Sequence, residues 1–326
     1  MKTERIPVIA VVGPTASGKT ALAVARAKAI DAEVPSFDSM QLYRGMDIAT
    51  AKPTAEEMKG IPHHMIDVVD PSETYSVARY KEDAERIVDE IRGRGKQVVL
   101  VGGTGLYLDA LLKNITFLEA PGSEAVRAEL QKEWDDQGAS AMYEQLREID
   151  PEYAAKIEQN NRTRVLRALE VYRLTGYTMS YQIAYSRSVP SRYEAVKIGL
   201  NTRDRKALYQ RIGTRIDRMV EQGLLDEARA VTEQGSGATA AQAIGIKEML
   251  PYLTGEASLD ACIDHLKLVT RHYAKRQLTW FRRDPDTHWL YLEDYPDPEE
   301  LIRAAEQVVR DSGRFGDEEG RQGSGE

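Results

Sequence analysis

Cysteine is almost absent from this chain, and so are long apolar runs. The single cysteine among 326 residues, Cys262, excludes an internal disulfide and any zinc site built from several cysteines, and it favours a reducing compartment. No apolar run approaches the length of a membrane span, and the start MKTERIPVIAVVG lacks the apolar centre and cleavage site of a signal peptide. We therefore expect a cytoplasmic protein without a membrane partner, and we take it to be a monomer. The pair His63-His64 lacks a partner at metal-ligand spacing, so we assign it a structural role.

A phosphate-binding loop stands near the start of the chain, where residues 13–20 read GPTASGKT. The motif follows an apolar run at 8–12 and precedes a helical stretch at 21–29, the strand, turn and helix that this mechanism needs. Backbone N–H groups and the positive end of the helix would hold a polyphosphate or a pyrophosphate. Lys19 would reach the terminal phosphates and the Thr20 hydroxyl would ligate their Mg²⁺. The expected ligand-binding residues are Gly13, Pro14, Thr15, Ala16, Ser17, Gly18, Lys19 and Thr20; the alternative is a glycine-rich turn without a ligand.

The usual signs of nucleotide hydrolysis do not follow this loop. The next candidate strand, QVVLV at 97–101, runs into Gly-Gly-Thr-Gly instead of ending in the aspartate that organises Mg²⁺ and water. No Asn-Lys-x-Asp segment for guanine recognition exists. The glycines would let a ligand approach the backbone, and Thr104 would offer it a hydroxyl and an amide. The alternative for 102–105 is a plain strand-to-helix turn.

Asp38 is the acid placed at a strand end near the phosphate loop, in the segment FDSMQLYRGMDIATAKP at 37–53. Ligands of parallel sheets bind at this edge, so Asp38 could accept a proton from a nucleophile or hold a water on Mg²⁺. Alternatively its side chain caps the next helix, which is common for Asp-Ser-Met-Gln. Asp47 is a weaker candidate, because its surroundings read as a turn with satisfied polar groups.

Basic residues are concentrated in two segments although the net charge is −8. Residues 156–218 hold 14 lysines and arginines against five acids, and residues 265–283 hold six against none. Such local charge suits a nucleic-acid backbone. The alternative for either segment alone is an ordinary solvated helix surface.

Strand-like and helix-like segments alternate along most of the chain. Apolar, β-rich runs occur at 8–12, 33–37, 64–69, 98–101, 196–200 and 288–292, with helical patterns such as 76–94 between them. This predicts an α/β fold, a parallel sheet like that of phosphate-loop NTPases with helices on both faces. Between about 120 and 190 the pattern is helical only, at 123–137, 140–149, 151–157 and 161–175. We therefore expect a catalytic core at 1–117 and 195–310, an inserted helical domain at 118–194 and a disordered tail at 311–326.

A run of motifs resembles the bacterial tRNA dimethylallyltransferases, from about residue 7 to 293. GPTASGKT, DSMQLYRGMDIATAKP, IPHHMIDVVDP and VGGTGLYLDALL occur in the order of that family, followed by NNRTRVLRALEVYRLTG, QAIGIKE and RHYAKRQLTWFRRD. Eukaryotic relatives carry a C-terminal zinc finger, which a chain with one cysteine cannot form. The second motif, placed after a phosphate loop, is far more specific than the loop alone.

The resemblance implies a prenyl transfer. Such enzymes move a dimethylallyl group from dimethylallyl diphosphate to N6 of adenine 37, beside the tRNA anticodon, and release diphosphate. Asp38 would then be the general base, with Thr104 in the catalytic site, and Ser17, Lys19, Thr20 and Mg²⁺ would offset the charge that develops on diphosphate. Arg211 and Arg215, four residues apart on one helix face, would add a clamp on the phosphates or are ordinary surface charges.

The resemblance also implies a set of tRNA contacts. The adenine must be flipped out of its stack, and 38–41 would meet it, because Gln suits the adenine edge. Trp280 and Phe281 read as core rather than as a base-stacking pair. The positions matching tRNA contacts are Asp38, Ser39, Met40, Gln41, Thr104, Arg127, Asn161, Arg162, Thr163, Arg164, Val165, Gln242, Ala243, Ile244, Gly245, Ile246 and Lys247.

Three other functions share parts of this pattern. A small-molecule phosphotransferase would have the loop and an inserted lid, with ATP in the loop. The adenylate prenyltransferases that make cytokinins share the loop and the acid but lack the helical insertion. A nucleic-acid-binding protein without catalysis would tolerate the loss of Asp38.

Overall fold

The computed structural model describes residues 5–117, 123–237 and 239–315. These fall into two compact units. The first unit contains the described parts of Met1–Leu111 and Arg192–Glu326, and the second those of Leu112–Ser191. The second unit begins and ends earlier than the insertion predicted at 118–194. Residues before 118 belong to it because the backbone of Thr116 bonds to Gln182 and Ser186, whereas Tyr193 already pairs with Ile6 in the sheet of the first unit.

A six-stranded parallel sheet forms the centre of the first unit. Its strands are β1 (Ile6–Val12), β2 (Ala32–Pro35), β3 (His63–His64), β4 (Gln97–Val101), β5 (Tyr193–Asn201) and β6 (Thr287–Tyr291), in the order β3-β2-β4-β1-β5-β6. Val11 of the central strand is in register with Val101 on one side and Ile198 on the other. The predicted α/β class with a parallel sheet is confirmed.

Strand β3 is much shorter than the run predicted at 64–69. Met65 and Asp67 have φ angles of 60° and 55°, a left-handed backbone that cannot continue a strand. His64 Nε2 lies 2.6 Å from Glu33 Oε2, and His63 Nδ1 lies 2.9 Å from the carbonyl of Ile61. Both histidines thus make structural contacts, as expected.

Helices cover the sheet and build the second unit. Their bounds are α1 (Lys19–Ala29), α2 (Ala55–Met58), α3 (Val77–Gly93), α4 (Gly105–Leu112), α5 (Ser123–Ile149), α6 (Pro151–Ala154), α7 (Arg162–Thr175), α8 (Met179–Ser188), α9 (Arg205–Glu221), α10 (Leu224–Glu233), α11 (Leu250–Leu253), α12 (Leu259–Phe281) and α13 (Pro298–Asp311). On one face of the sheet, Ile9 and Val11 share an apolar core with Leu22 of α1 and Val309 of α13. Residues 8, 10 and 12, which alternate with them, are also buried, so both faces are covered.

The second unit is entirely helical in its described part. Two helices predicted at 123–137 and 140–149 form α5, which kinks at Gly138, where φ is 81°. Leu130 and Met142 of α5 pack against Val165 and Leu169 of α7 in a core of their own. The second unit therefore has the hydrophobic centre that an inserted domain needs.

Helix α13 ends at Asp311, where the tail was predicted to start. The next residues are still packed: Phe315 contacts the core of the sheet, and Arg314 Nε lies 3.0 Å from Glu194 Oε1. Residues 316–326, the rest of the predicted tail, lie outside the described residues. No helix in the described ranges is long and apolar enough to cross a membrane.

Candidate active site

A cavity of about 320 Å³ opens at the carboxyl edge of the sheet in the first unit. The phosphate loop, the turn after β2 and the loop after β4 meet there because parallel strands end on the same side. Helices α9 and α12 complete the wall. The lining residues include Thr15, Lys19, Thr20, Asp38, Ser39, Met40, Gln41, Gly103, Ile212, Arg215, Ile216, Met219, Gln242, Ile244, Lys247, Leu266, Tyr273 and Gln277.

The phosphate loop follows β1 with the tight geometry that the sequence predicts. Gly13 has a φ of 147°, and a Cβ there would lie only 2.5 Å from the carbonyl oxygen of Leu200, so another residue would not fit. Helix α1 begins at Lys19, which places its positive end at the loop. The Ser17 hydroxyl is buried and has no hydrogen-bond partner among the described residues.

Lys19 is held back against its own loop. Its Nζ donates to the carbonyl of Pro14 at 2.7 Å. Burial, together with the positive charge of Arg215, lowers the pKa of Lys19 to about 7, while the charge of Asp38 acts in the opposite direction. The amine is therefore poised to change charge when an anion enters the cavity.

Asp38 has one carboxylate oxygen engaged in its own turn. Its Oδ1 accepts the backbone N–H of Met40 at 2.9 Å. The side chain thus caps a turn and not the helix that the alternative expected, because residues 39–42 form turns and the next helix is α2, Ala55–Met58. Burial raises the pKa of Asp38, and the Met40 N–H and the charges of Lys19 and Arg215 offset part of that rise. The capping role therefore does not exclude a catalytic one, because the carboxylate still lines the cavity.

Thr104 supports the Asp38 turn from the loop after β4. Its Oγ1 accepts the backbone N–H of Ser39 at 3.0 Å and donates to the Ser39 hydroxyl at 3.1 Å. The side chain of Thr104 thus holds the residue next to the acid. The segment 102–105 is a strand-to-helix turn as well, since α4 begins at Gly105.

The side-chain amide of Gln41 makes hydrogen bonds within the protein through both its oxygen and its nitrogen. Its Oε1 accepts from the Ser36 hydroxyl at 3.0 Å, and its Nε2 donates to the carbonyls of Thr50 and Ala51 at 3.3 Å. The expectation that Gln41 pairs with an adenine edge is therefore not favoured by this arrangement. Gln41 instead holds the segment 49–51 against the cavity.

The two candidate arginines of α9 differ in position. Arg215 lines the cavity, and burial lowers its pKa although Glu57 and Asp38 act in the opposite direction. Arg211 is exposed, and its Nη2 lies 3.9 Å from the position of a Cβ on Gly18, beside the phosphate loop. Both arginines therefore lie at the loop from one helix face, with Arg215 inside the cavity and Arg211 at its outer side.

Only part of the predicted stretch Gln242–Lys247 reaches the cavity. Gln242, Ile244 and Lys247 line it, whereas Ala243 and Ile246 are buried in the core. Gly245 is also buried, and its N–H donates to Glu248 Oε2 at 2.8 Å. The stretch thus alternates between the cavity and the interior.

The other predicted tRNA contacts lie in the second unit. Arg127 Nη2 is 2.8 Å from the buried carboxylate of Glu170, so it already has an internal partner. Asn161 caps α7 by accepting the N–H of Arg164 at 3.3 Å, and Val165 belongs to the core. Arg162 pairs with Asp135 at 3.0 Å. Thr163 and Arg164 are exposed.

Several residues of the site were missed by the sequence analysis, among them two polar residues of α12. Gln277 and Tyr273 of α12 line the cavity, and Tyr273 interacts with both Gln277 and Thr104. They belong to the motif RHYAKRQLTWFRRD, in which only charge and the Trp-Phe pair drew attention. Phe281 is buried, and Trp280 Nε1 donates to Asp109 Oδ2 at 3.1 Å, which confirms their structural role.

The donor set of the cavity fits a magnesium ion brought in by a phosphate ligand. Its candidate protein ligands are oxygens, the Thr20 hydroxyl and the Asp38 carboxylate. Mg²⁺ prefers such hard donors and commonly takes most of its other ligands from substrate phosphates and water. In the described parts of the chain no three His, Cys, Asp or Glu side chains gather around a metal position, so a fully protein-built site is not found there.

Fold and site together define an α/β protein with a phosphate loop facing a carboxylate across one cavity. A family model described as IPP transferase matches residues 41–284. The tRNA dimethylallyltransferase of Halalkalibacterium halodurans is 48% identical over 287 residues, which cover 88% of this chain and 91% of that protein. The tRNA dimethylallyltransferase of Caldanaerobacter subterraneus subsp. tengcongensis is 44% identical over 299 residues, covering 91% and 95%.

Solved structures agree with these relatives. The full-length tRNA isopentenylpyrophosphate transferase from Bacillus halodurans is 45% identical, with a TM-score of 0.70, and the match covers 94% of this chain and 96% of that one. A eukaryotic dimethylallyltransferase acting on tRNA is 29% identical, with a TM-score of 0.77, over 94% of this chain and 80% of that one. This chain belongs to the IPP transferase family, and the resemblance drawn from its motifs is confirmed.

Proposed function

We propose that this enzyme transfers a dimethylallyl group from dimethylallyl diphosphate to N6 of adenine 37 in tRNA and releases diphosphate. The observation that carries the proposal is that one cavity combines a cationic phosphate loop, a carboxylate and an apolar wall. Membership of the IPP transferase family supplies the reaction class.

The phosphate loop is proposed to hold the diphosphate of the donor. Lys19, Arg215 and Arg211 surround the loop with positive charge, and the N-terminus of α1 adds its dipole. The buried Ser17 hydroxyl would gain a hydrogen-bond partner from a phosphate oxygen. Mg²⁺ on Thr20 and the phosphates would neutralise the charge of the leaving group.

The apolar wall of the cavity suits the five-carbon group. Five apolar side chains line the same cavity as the charged groups: Met40, Ile212, Ile216, Met219 and Leu266. A branched hydrocarbon would be removed from water there, which is favourable by about 25 cal/mol per Å² of apolar surface buried.

Asp38 is proposed to accept the proton of the reacting amine. In the reaction, N6 of adenine forms a bond to the allylic carbon, and the bond from that carbon to diphosphate oxygen breaks. Diphosphate leaves with the bonding electrons, and the N6 proton passes to the Asp38 carboxylate. The raised pKa makes Asp38 a stronger base than an exposed aspartate, although it must be ionised to act.

The tRNA is proposed to bind the first unit through Gln242, Ile244 and Lys247 at the cavity. In the second unit, four members of the predicted contact set are exposed, namely Arg127, Arg162, Thr163 and Arg164. Arg127 and Arg162 already pair with acids, so we propose Thr163 and Arg164 as the contacts there. The two basic segments of the chain would contribute attraction for phosphates that weakens with salt.

A transfer assay tests the proposal. The full chain is incubated with Mg²⁺, labelled dimethylallyl diphosphate and tRNA that carries unmodified A36-A37, and the product is digested to locate the label. We expect label on adenine 37, in equal amount to the diphosphate released and without ATP. Label on another nucleotide, or none, would refute the proposed reaction.

Asp38 is tested with a matched pair of variants. Asp38→Asn should lower the transfer rate by about 10²-fold or more, the usual contribution of a general base. Asp47→Asn is the control, because the Asp47 carboxylate pairs with Lys52 at 2.6 Å and neither of these two residues lines the cavity. Equal rates for both variants would remove Asp38 as the base and leave the reaction class intact.

Consumption of ATP without tRNA would instead favour a phosphotransferase.

A further inference from the structure

Gln277 of α12 makes two hydrogen bonds that join separate parts of the cavity wall. Its Oε1 accepts the backbone N–H of Thr15 at 2.8 Å, and its Nε2 donates to the carbonyl of Gly103 at 3.1 Å. The side chain is only 5% exposed, so neither bond competes freely with water. One buried amide thus bridges residues that are far apart in sequence.

The two ends of this bridge lead to different sides of the proposed reaction. Thr15 belongs to the phosphate loop and follows Pro14, whose carbonyl holds Lys19. Gly103 precedes Thr104, whose hydroxyl fixes the residue after Asp38. Gln277 therefore connects the loop for the leaving group with the turn that carries the base.

The contact with Gly103 leaves no room for a larger residue. A Cβ on Gly103 would lie 2.1 Å from Gln277 Nε2, so the amide occupies the space that an alanine side chain needs. One helical turn earlier, Tyr273 interacts with both Gln277 and Thr104. The bridge is thus held from a second side by the same helix.

We propose that Gln277 is a positioning residue that keeps the phosphate loop and the Asp38 turn at the separation required for transfer. The inference rests on the proposed function and deepens it. An amide is suited to this role because it offers one acceptor and one donor, whereas a carboxylate offers no donor and a thioether offers neither in useful strength. Small displacements of reacting groups reduce rates steeply, by about 10²-fold for 1 Å.

The first test compares Gln277→Met with Thr279→Ala, an exposed position on the same helix. We expect kcat of the Q277M enzyme to fall by about 10²-fold. The dissociation constants for inorganic pyrophosphate with Mg²⁺ and for an anticodon stem-loop should change by less than about threefold, because the separate binding groups remain. Unchanged kcat in Q277M, with active wild-type enzyme, would overturn the inference. Inactive wild-type enzyme would instead refute the proposed function.

The second test uses Gln277→Glu and pH. A protonated carboxylic acid has one donor and one acceptor and so imitates the amide, whereas its carboxylate cannot donate to Gly103. The ratio of Q277E to wild-type kcat should therefore rise as pH falls, and the ratio of Q277M to wild-type should stay constant. Lys19 and Asp38 titrate in all three enzymes, and the ratio largely removes their contribution. The positive charge of Arg276 and the neutral phenol of Tyr273, whose pKa is raised by burial, are the same in all three enzymes. A constant Q277E ratio would contradict the hydrogen-bonding role.

A third test remains decisive if Q277M proves unstable. Gly103→Ala should reduce kcat strongly in the presence of Gln277, because the methyl group collides with its amide. In a Gln277→Ala background the added methyl has space, so the same substitution should change kcat much less. Equal effects of Gly103→Ala in both backgrounds would show that the contact with Gln277 does not control the site.

Discussion

Lys19 should take up a proton when diphosphate binds. Burial and the charge of Arg215 lower its pKa to about 7 in the free protein. A multiply charged anion beside Nζ favours the ammonium form and should restore the pKa toward 10.5, the ordinary value. Binding of the ligand and protonation of Lys19 are thus linked, and the linkage is greatest between these two pKa values.

The expected magnitude follows from the two pKa values. At pH 8 a group with a pKa near 7 is about one tenth protonated, and a group with a pKa near 10 is almost fully protonated. Lys19 should therefore take up about 0.9 proton for each diphosphate bound at pH 8. At pH 6 both forms are protonated, and the uptake by Lys19 should fall to about 0.1.

Calorimetry in two buffers that differ in ionisation enthalpy measures this uptake, with inorganic pyrophosphate and Mg²⁺ as ligand. Pyrophosphate changes its own protonation as well, so Lys19→Arg is the reference, because a guanidinium keeps its charge throughout this pH range. The difference between wild-type protein and K19R should be close to one proton at pH 8. A difference near zero at pH 8 would show that Lys19 does not change its protonation when the ligand binds, which would refute the linkage.

Three further predictions concern charges of the two units. Lys19→Met should increase the free energy of unfolding by about 1–3 kcal/mol at pH 7 and should abolish transfer. Because the pKa of Lys19 is lower in the folded protein than in the unfolded chain, this gain in stability should vanish as the pH approaches 10.5. Urea unfolding at several pH values would measure it. The value of kcat/KM for dimethylallyl diphosphate should rise with pH as Asp38 ionises, and this rise should occur above the ordinary aspartate pKa. It should fall again as Lys19 loses its proton, with a pKa of about 7. A profile without this fall at high pH would contradict the role of Lys19. In the second unit, Glu170→Gln removes a buried carboxylate that pairs with Arg127 and Arg167. Thermal unfolding should show a loss of stability of about 1–3 kcal/mol, which is limited because both arginines are partly exposed. No loss would mean that these ion pairs do not contribute to stability.

The sequence predicted those parts of the molecule that depend on local pattern. GPTASGKT between a strand and a helix is a local signal, and the structure has β1, the loop and α1 in that order. The kink of α5 at Gly138 also follows from a local property, the left-handed backbone that glycine tolerates. The short β3 was not predictable from the apolar composition of 64–69, because that composition does not indicate the positive φ angles that Met65 and Asp67 adopt.

The side-chain partners within the site depend on contacts between distant segments. Gln41 looks like an adenine reader by residue type, but its amide bonds to Ser36, Thr50 and Ala51. The separation of Gln277 from Thr15 is 262 residues, and nothing in the sequence pairs an amide with a loop at that distance. Residue type thus indicates what a side chain can do, and the fold decides which partner it has.

The charged groups at the phosphate loop and the Asp38 carboxylate affect one another, so they cannot be treated separately. Asp38 raises the pKa of Lys19, and Lys19 lowers the pKa of Asp38, so the charge of each group affects the protonation of the other. An anion that protonates Lys19 brings a new positive charge to Asp38 and, at the same time, negative charge of its own. The positive charges of Lys19, Arg215 and a cation, together with the Met40 N–H, favour the ionised carboxylate, whereas the charge of the diphosphate opposes it. As the proposed base, Asp38 is therefore more competent when the charge of the leaving group is neutralised. The proposed bridge through Gln277, which bonds to both Thr15 and Gly103, would act on the phosphate loop and the Asp38 turn together.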